Sequence, residues 1–93
     1  MRTGNSENTK PKKTIEPETT LIDEGQFLCI LTKLPNIAEE TIKIDLEKVS
    51  ITIAASDPQN TYKKEITIPC EARLSKKRFT DGVLELTLEK YRS

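Results

Sequence analysis

Histidine is absent from this 93-residue chain, cysteine occurs twice and glycine three times. Two distant thiols, Cys29 and Cys70, make a poor zinc site without histidine, and no Cys-x-x-Cys spacing suggests redox chemistry. No glycine-rich loop could cradle a phosphate, and no serine or cysteine stands beside an identifiable base, so nothing implies an enzyme, a cofactor or a catalytic residue. The longest apolar run, Phe27 to Leu31, is far shorter than the ~20 residues that span a bilayer, and the N-terminus carries no apolar leader pattern. The expectation is a cytoplasmic protein with free thiols and no membrane partner. Charge of one sign is missing too: fifteen basic and fifteen acidic side chains cancel, leaving no global field to draw in nucleic acid. A local basic run, Lys76-Lys77-Arg78, has only Phe79 beside it for base stacking and reads as a solvated strand or loop.

What is present is a short chain with its apolar residues concentrated. Ninety-three residues permit one small domain, which buries only about 60–65% of the surface of its unfolded chain. Apolar residues make up 34% and charged residues 32%, a balance that would favour disorder if the apolar residues were scattered. Instead residues 1–17, MRTGNSENTKPKKTIEP, are polar and hold two prolines, and are expected to form a disordered arm. Residues 18–93 are expected to form the folded domain.

Beyond Pro17 the pattern has period two, the mark of strands. Strands are expected at Glu18–Asp23, Gln26–Lys33, Thr41–Glu47, Val49–Ala55, Tyr62–Ile68, a short piece near Lys77–Thr80, and Val83–Glu89. Glu24-Gly25, Ser56-Asp57-Pro58 and Asp81-Gly82 supply turns between them, and Glu39-Glu40 is compatible with one helical turn. Seven short strands without a helical period predict an all-β, immunoglobulin-like antiparallel sandwich. Its core rows are Ile42, Ile44 and Leu46; Ile51 and Ile53; and Leu84, Leu86 and Leu88. The strand through Phe27-Leu28-Cys29-Ile30-Leu31 is apolar on both faces. Leu28 and Ile30 are in step with Leu34 and assign to the core. Phe27, Cys29 and Leu31 either form an apolar interaction row on the opposite face or are buried by a bend in the strand.

Two landmarks organise this pattern. Leu34-Pro35-Asn36-Ile37 leads through Glu39-Glu40 to Thr41-Ile42-Lys43-Ile44, and Phe79-Thr80-Asp81-Gly82-Val83-Leu84-Glu85-Leu86 opens the final strand. Pro35 rigidifies a turn, Gly82 occupies a backbone position costly for other residues, and Val83 and Leu84 restart the alternation. With Tyr62-x-x-x-Ile66-x-Ile68-Pro69 between them, these elements resemble the α-crystallin domain of the small heat-shock proteins over about residues 18–90. The resemblance implies an ATP-independent chaperone that holds apolar segments of partly unfolded client proteins. It implies a peptide groove at Ile42, Ile44, Leu46 and Phe79, with Ser75 and Lys77 at the edge, combining strand-edge hydrogen bonding with apolar pockets. Ile42, Ile44 and Leu46 could each equally be plain core.

The sequence departs from the family in three places. Ser56 to Thr61 is too short for the long loop that exchanges a strand between subunits in many members, so a strand-exchanged dimer is not expected. The C-terminal Ile-x-Ile motif is not seen after the last strand, and the N-terminal arm is hydrophilic. A monomer or weak homodimer is expected. These departures also raise an alternative: a dedicated interaction or scaffold domain with one native partner, as in the related co-chaperone domains of CS type.

Overall fold

The computed structural model describes residues 13–91, and within them eight strands and one 3-10 turn. The strands are β1 (Lys13–Ile15), β2 (Thr19–Glu24), β3 (Phe27–Lys33), β4 (Lys43–Glu47), β5 (Ser50–Ser56), β6 (Asn60–Thr67), β7 (Ala72–Thr80) and β8 (Val83–Lys90). They form two four-stranded sheets with orders β1-β6-β5-β4 and β2-β3-β8-β7. All pairs are antiparallel except β1 with β6.

The apolar rows read from the sequence face one another. Leu28, Ile30, Leu34, Ile51, Ile53, Leu84, Leu86 and Leu88 are fully or almost fully buried, with Ile37, Ile42, Ala55, Ile68 and Ala72 completing the cluster. Thr32 continues the inward row of β3 and is equally buried, although the alternation had not marked it. Its hydroxyl lies 3.4 Å from that of Thr19, which donates in turn to the carbonyl oxygen of Pro17 at 3.0 Å. These contacts set the start of β2 beside the buried end of β3.

Turn chemistry sets the registers. In the β7–β8 hairpin Asp81 and Gly82 both have positive φ, 52° and 78°, the type I′ geometry whose twist suits paired strands. Gly25 begins the β2–β3 turn with φ 79°, and the Asp23 carboxylate accepts from its N–H at 3.1 Å. Between β5 and β6 only Asp57–Gln59 intervene, and the Asp57 carboxylate accepts the N–H groups of Gln59 and Asn60 at 2.8 and 2.5 Å. Those bonds, with the Tyr62 hydroxyl as a further donor, hold the Asp57 carboxyl below the usual carboxylate range. The two landmarks meet in space. Leu34 donates its N–H to the carbonyl oxygen of Gly82 at 2.7 Å, where the chain leaves one sheet for the other. The helical turn compatible with Glu39-Glu40 is a 3-10 turn, Glu39–Thr41.

Three expectations need correction. The arm is not structureless through residue 17: Lys13, Thr14 and Ile15 pair in parallel with Asn60, Thr61 and Tyr62. The exposed edge of β6 offers unpaired backbone groups there, and β-branched Thr14 and Ile15 suit a strand. Pro17 is buried, and Glu16 pairs with Lys64 at 3.0 Å. Residues 1–12 of the expected arm lie outside the described residues. The strand expected to start at Thr41 starts at Lys43, because Thr41 closes the 3-10 turn by donating to the Ala38 carbonyl. The short piece near Lys77–Thr80 is a nine-residue strand, hidden in the sequence because Arg73 to Arg78 are all exposed.

Candidate peptide-binding groove

An edge strand has one row of backbone N–H and C=O groups without a partner, and a sandwich has an opening wherever two edges lie over one another. β4 and β7 are edge strands of opposite sheets. Between them is a cleft of about 300 Å³ lined by Leu46, Glu47, Ala72, Arg73, Leu74 and Tyr91, among others. On the β4 wall Ile44 and Leu46 are half-buried against the core, since no further strand covers them. Ile42 is buried and acts as core, as one of its two readings allowed.

The β7 wall is shaped by an irregularity. Leu74 pairs with Leu88, but the next pair is Lys76 with Thr87, so Ser75 is an extra residue, a β-bulge. The bulge resets the alternation: Ala72 and Leu74 face inward before it, and Lys77 and Phe79 face inward after it, opposite Leu86 and Leu84. Leu74 is 39% exposed at the cleft while Phe79 is half-buried against the core. Counting by twos back from Phe79 reaches Lys77 and Ser75 and misses Leu74. The odd spacing from Leu74 to Phe79 is the signal that could have revealed it. The cleft thus brings Leu46 together with Leu74; Ile44, Lys77 and Phe79 are not among its lining residues, and exposed Ser75 occupies the bulge.

The second apolar row lies on the outer face of the β2-β3-β8-β7 sheet. Phe27, Cys29 and Leu31 stand opposite Glu89, Thr87 and Glu85 on β8, and Ile22 on β2 stands beside Cys29. Phe27 is 39% exposed, and Cys29 and Leu31 are half-buried. The strand therefore does not bury both rows. Partial burial and the Glu85 carboxylate, 3.9 Å from its Sγ, push the Cys29 thiol up from its ordinary value. Both cysteines are free. Among the described residues no cluster of side chains suited to a metal ion occurs, and no helix is long and apolar enough to cross a membrane.

The same two-sheet arrangement is found in HSP18.5 from E. histolytica, which superposes with a TM-score of 0.71 over 81% of this chain and 88% of that one, at 17% identity. The chain has the α-crystallin fold. Heat shock protein 16.0 from Schizosaccharomyces pombe shares it with a TM-score of 0.68 and 19% identity over 82% of this chain and 87% of that chain. A small heat-shock protein from Xylella fastidiosa does so with 0.70 and 14%, over 83% and 87%. No family model and no curated protein matches the sequence. An α-crystallin fold can persist at such low identity because it needs only alternating apolar rows and correctly placed turns. The resemblance read from the Leu34-Pro35 and Asp81-Gly82 landmarks thus agrees with the architecture.

Proposed function

We propose that this protein is an ATP-independent chaperone of the small heat-shock type, holding extended apolar segments of partly unfolded proteins in the cleft between β4 and β7. The observation that carries this reading is the placement of Leu46 and the exposed Leu74 on facing walls, each beside an unpaired strand edge. A client strand could bond to an edge while alternate side chains enter the cleft. Filling two apolar positions contributes about 1.5–3 kcal/mol each before the cost of ordering the segment, so single contacts are weak and reversible. Weak contacts suit holding, because a client with several such segments binds by multivalency.

The protein works as a monomer or weak homodimer in the cytoplasm, where Cys29 and Cys70 stay reduced. The three-residue connection between β5 and β6 supports the absence of a strand-exchanged dimer. The outer row of Phe27, Cys29 and Leu31 is a second apolar surface available to clients.

The test is light scattering from a heat-denatured enzyme with and without stoichiometric protein, alongside sedimentation of the mixture. Suppressed aggregation and soluble complexes are expected, with suppression reduced in Leu46→Asp and Leu74→Asp variants that retain the wild-type circular dichroism. Unchanged aggregation across several clients would refute the holding activity. Binding to one native protein alone would favour a dedicated interaction domain.

A further inference from the structure

The basic run Lys76-Lys77-Arg78 has no role in a purely apolar groove, yet it occupies the middle of the strand that forms one wall. The register of β7 divides its side chains into two rows. Leu74, Lys77 and Phe79 face inward, opposite Leu88, Leu86 and Leu84, while Arg73, Lys76 and Arg78 face outward, opposite Glu89, Thr87 and Glu85. Arg73 is engaged by Glu89 at 2.6 Å, but Lys76, Lys77 and Arg78 form no ion pair among the described residues. The free edge of β7 therefore presents unpaired backbone groups, an inward row in which Lys77 separates Leu74 from Phe79, and two outward cations, Lys76 and Arg78, without an ion pair among the described residues.

We propose that this edge selects extended peptide segments in which apolar residues alternate with acidic ones, the apolar side chains entering the cleft and the carboxylates lying beside Lys76 and Arg78. The inference rests on the groove reading above and adds a charge preference to it. The opposite edge of β7 already pairs with such a pattern. Leu84-Glu85-Leu86-Thr87-Leu88-Glu89 turns its leucines inward and its acids outward, with Glu89 on Arg73. Position along the strand sets the partner chemistry, because directly opposed side chains on one sheet face interact and like charges there repel. The same cations oppose pairing of two copies through β7, where an antiparallel match would set basic residues against basic. β7, with nine residues, offers a longer template than the five of β4. A nucleic-acid strand fits less well: the outward row holds no aromatic side chain, and the chain has no net positive charge.

The experiment uses three labelled nonapeptides with leucine at alternate positions and glutamate, serine or lysine between, titrated by fluorescence anisotropy at low salt, with a labelled uridine oligonucleotide in parallel. Two exposed opposite-charge contacts are worth about two- to threefold each, so the glutamate peptide should bind roughly four- to ninefold more tightly than the serine peptide. The lysine peptide should bind more weakly than either, and the differences should shrink at ~0.5 M salt. Lys76→Glu with Arg78→Glu should invert the order, whereas Lys63→Glu, on β6 of the other sheet, should preserve it. If the double variant fails to fold, Lys76→Ser and Arg78→Ser singly should each narrow the preference by about two- to threefold. Equal binding of all three peptides overturns the acidic preference and leaves the groove reading intact, while no binding by any of them overturns both. Oligonucleotide binding that the double variant abolishes, without discrimination among peptides, overturns the proposal in favour of nucleic acid.

Discussion

Replacing Gly82 and Gly25 separately by alanine measures how closely the two landmark turns approach each other. Both glycines have nearly the same φ, 78° and 79°, so alanine suffers the same backbone penalty at each. An L-residue in the left-handed region costs about 1–2 kcal/mol, offset by roughly 0.4–1 kcal/mol from the less flexible unfolded chain. The surroundings differ. A Cβ on Gly25 would meet nothing within 4 Å, whereas one on Gly82 would lie 3.4 Å from the Cα of Pro35 and 3.8 Å from the carbonyl oxygen of Leu34. Those are ordinary van der Waals separations that displace no atom. Both variants should therefore lose about 1 kcal/mol and agree within about 0.5 kcal/mol, read as the shift in urea midpoint at constant slope. In thermal unfolding each loss corresponds to about 4–8 °C for a domain of this size. Gly82→Asn should recover part of the loss, since asparagine tolerates this conformation. A loss at Gly82 exceeding that at Gly25 by more than 1.5 kcal/mol would refute the assigned spacing of the turns. No loss at either position would refute the backbone argument itself.

Three further outcomes follow from burial and hydrogen bonding. Leu86→Ala, at a fully buried position in the central strand β8, should destabilise by about 2–5 kcal/mol in the same urea assay, far more than Leu74→Ala at the cleft. Thr32→Val should change stability by less than about 1 kcal/mol, because the lost hydroxyl has one long 3.4 Å contact and a methyl takes its place; a loss above 2 kcal/mol would show that the Thr32–Thr19–Pro17 chain holds the N-terminal segment in place. The Asp57 carboxyl is lowered in the folded state by the N–H groups of Gln59 and Asn60, so the stability it contributes is present above its unfolded value and is lost as pH falls through its folded value. Asp57→Asn should therefore lose less stability than the native protein between neutral and acidic pH, and an identical acid profile would contradict that linkage.

Most of the sandwich was legible because half-buried strands advertise themselves. Leu84-Glu85-Leu86-Thr87-Leu88 and Ile51-Thr52-Ile53 alternate cleanly, and Asp81-Gly82 marks a turn that few other residues can make. The illegible parts lie at sheet edges, where burial no longer imposes a period. β7 is solvent-exposed along most of its length and is broken in phase by Ser75, so its start and its groove-facing Leu74 were both obscured. β1 forms on three residues because β6 offers an edge to pair with, which is information about another part of the chain. Thr32 was overlooked for the opposite reason: its residue type suggests a surface position, but its place in the row after Leu28 and Ile30 dictates burial. At Phe27, Cys29 and Leu31 the residues alone left two arrangements open, and pairing with Glu85, Thr87 and Glu89 turns that row to the outer face.

Strand pairs also differ in when they can form during synthesis. β5 follows β4 and β6 follows β5 through short turns, so each of these two can pair with the strand made just before it. β3 can pair with β2 at once, but its other edge must wait for β8, since Phe27 pairs with Glu89 and Lys33 with Val83. At about 5–20 residues per second, the ribosome leaves Leu28 and Ile30 without their β8 partners for several seconds after they emerge. During that interval the nascent protein displays the kind of extended apolar segment that its finished cleft is proposed to hold.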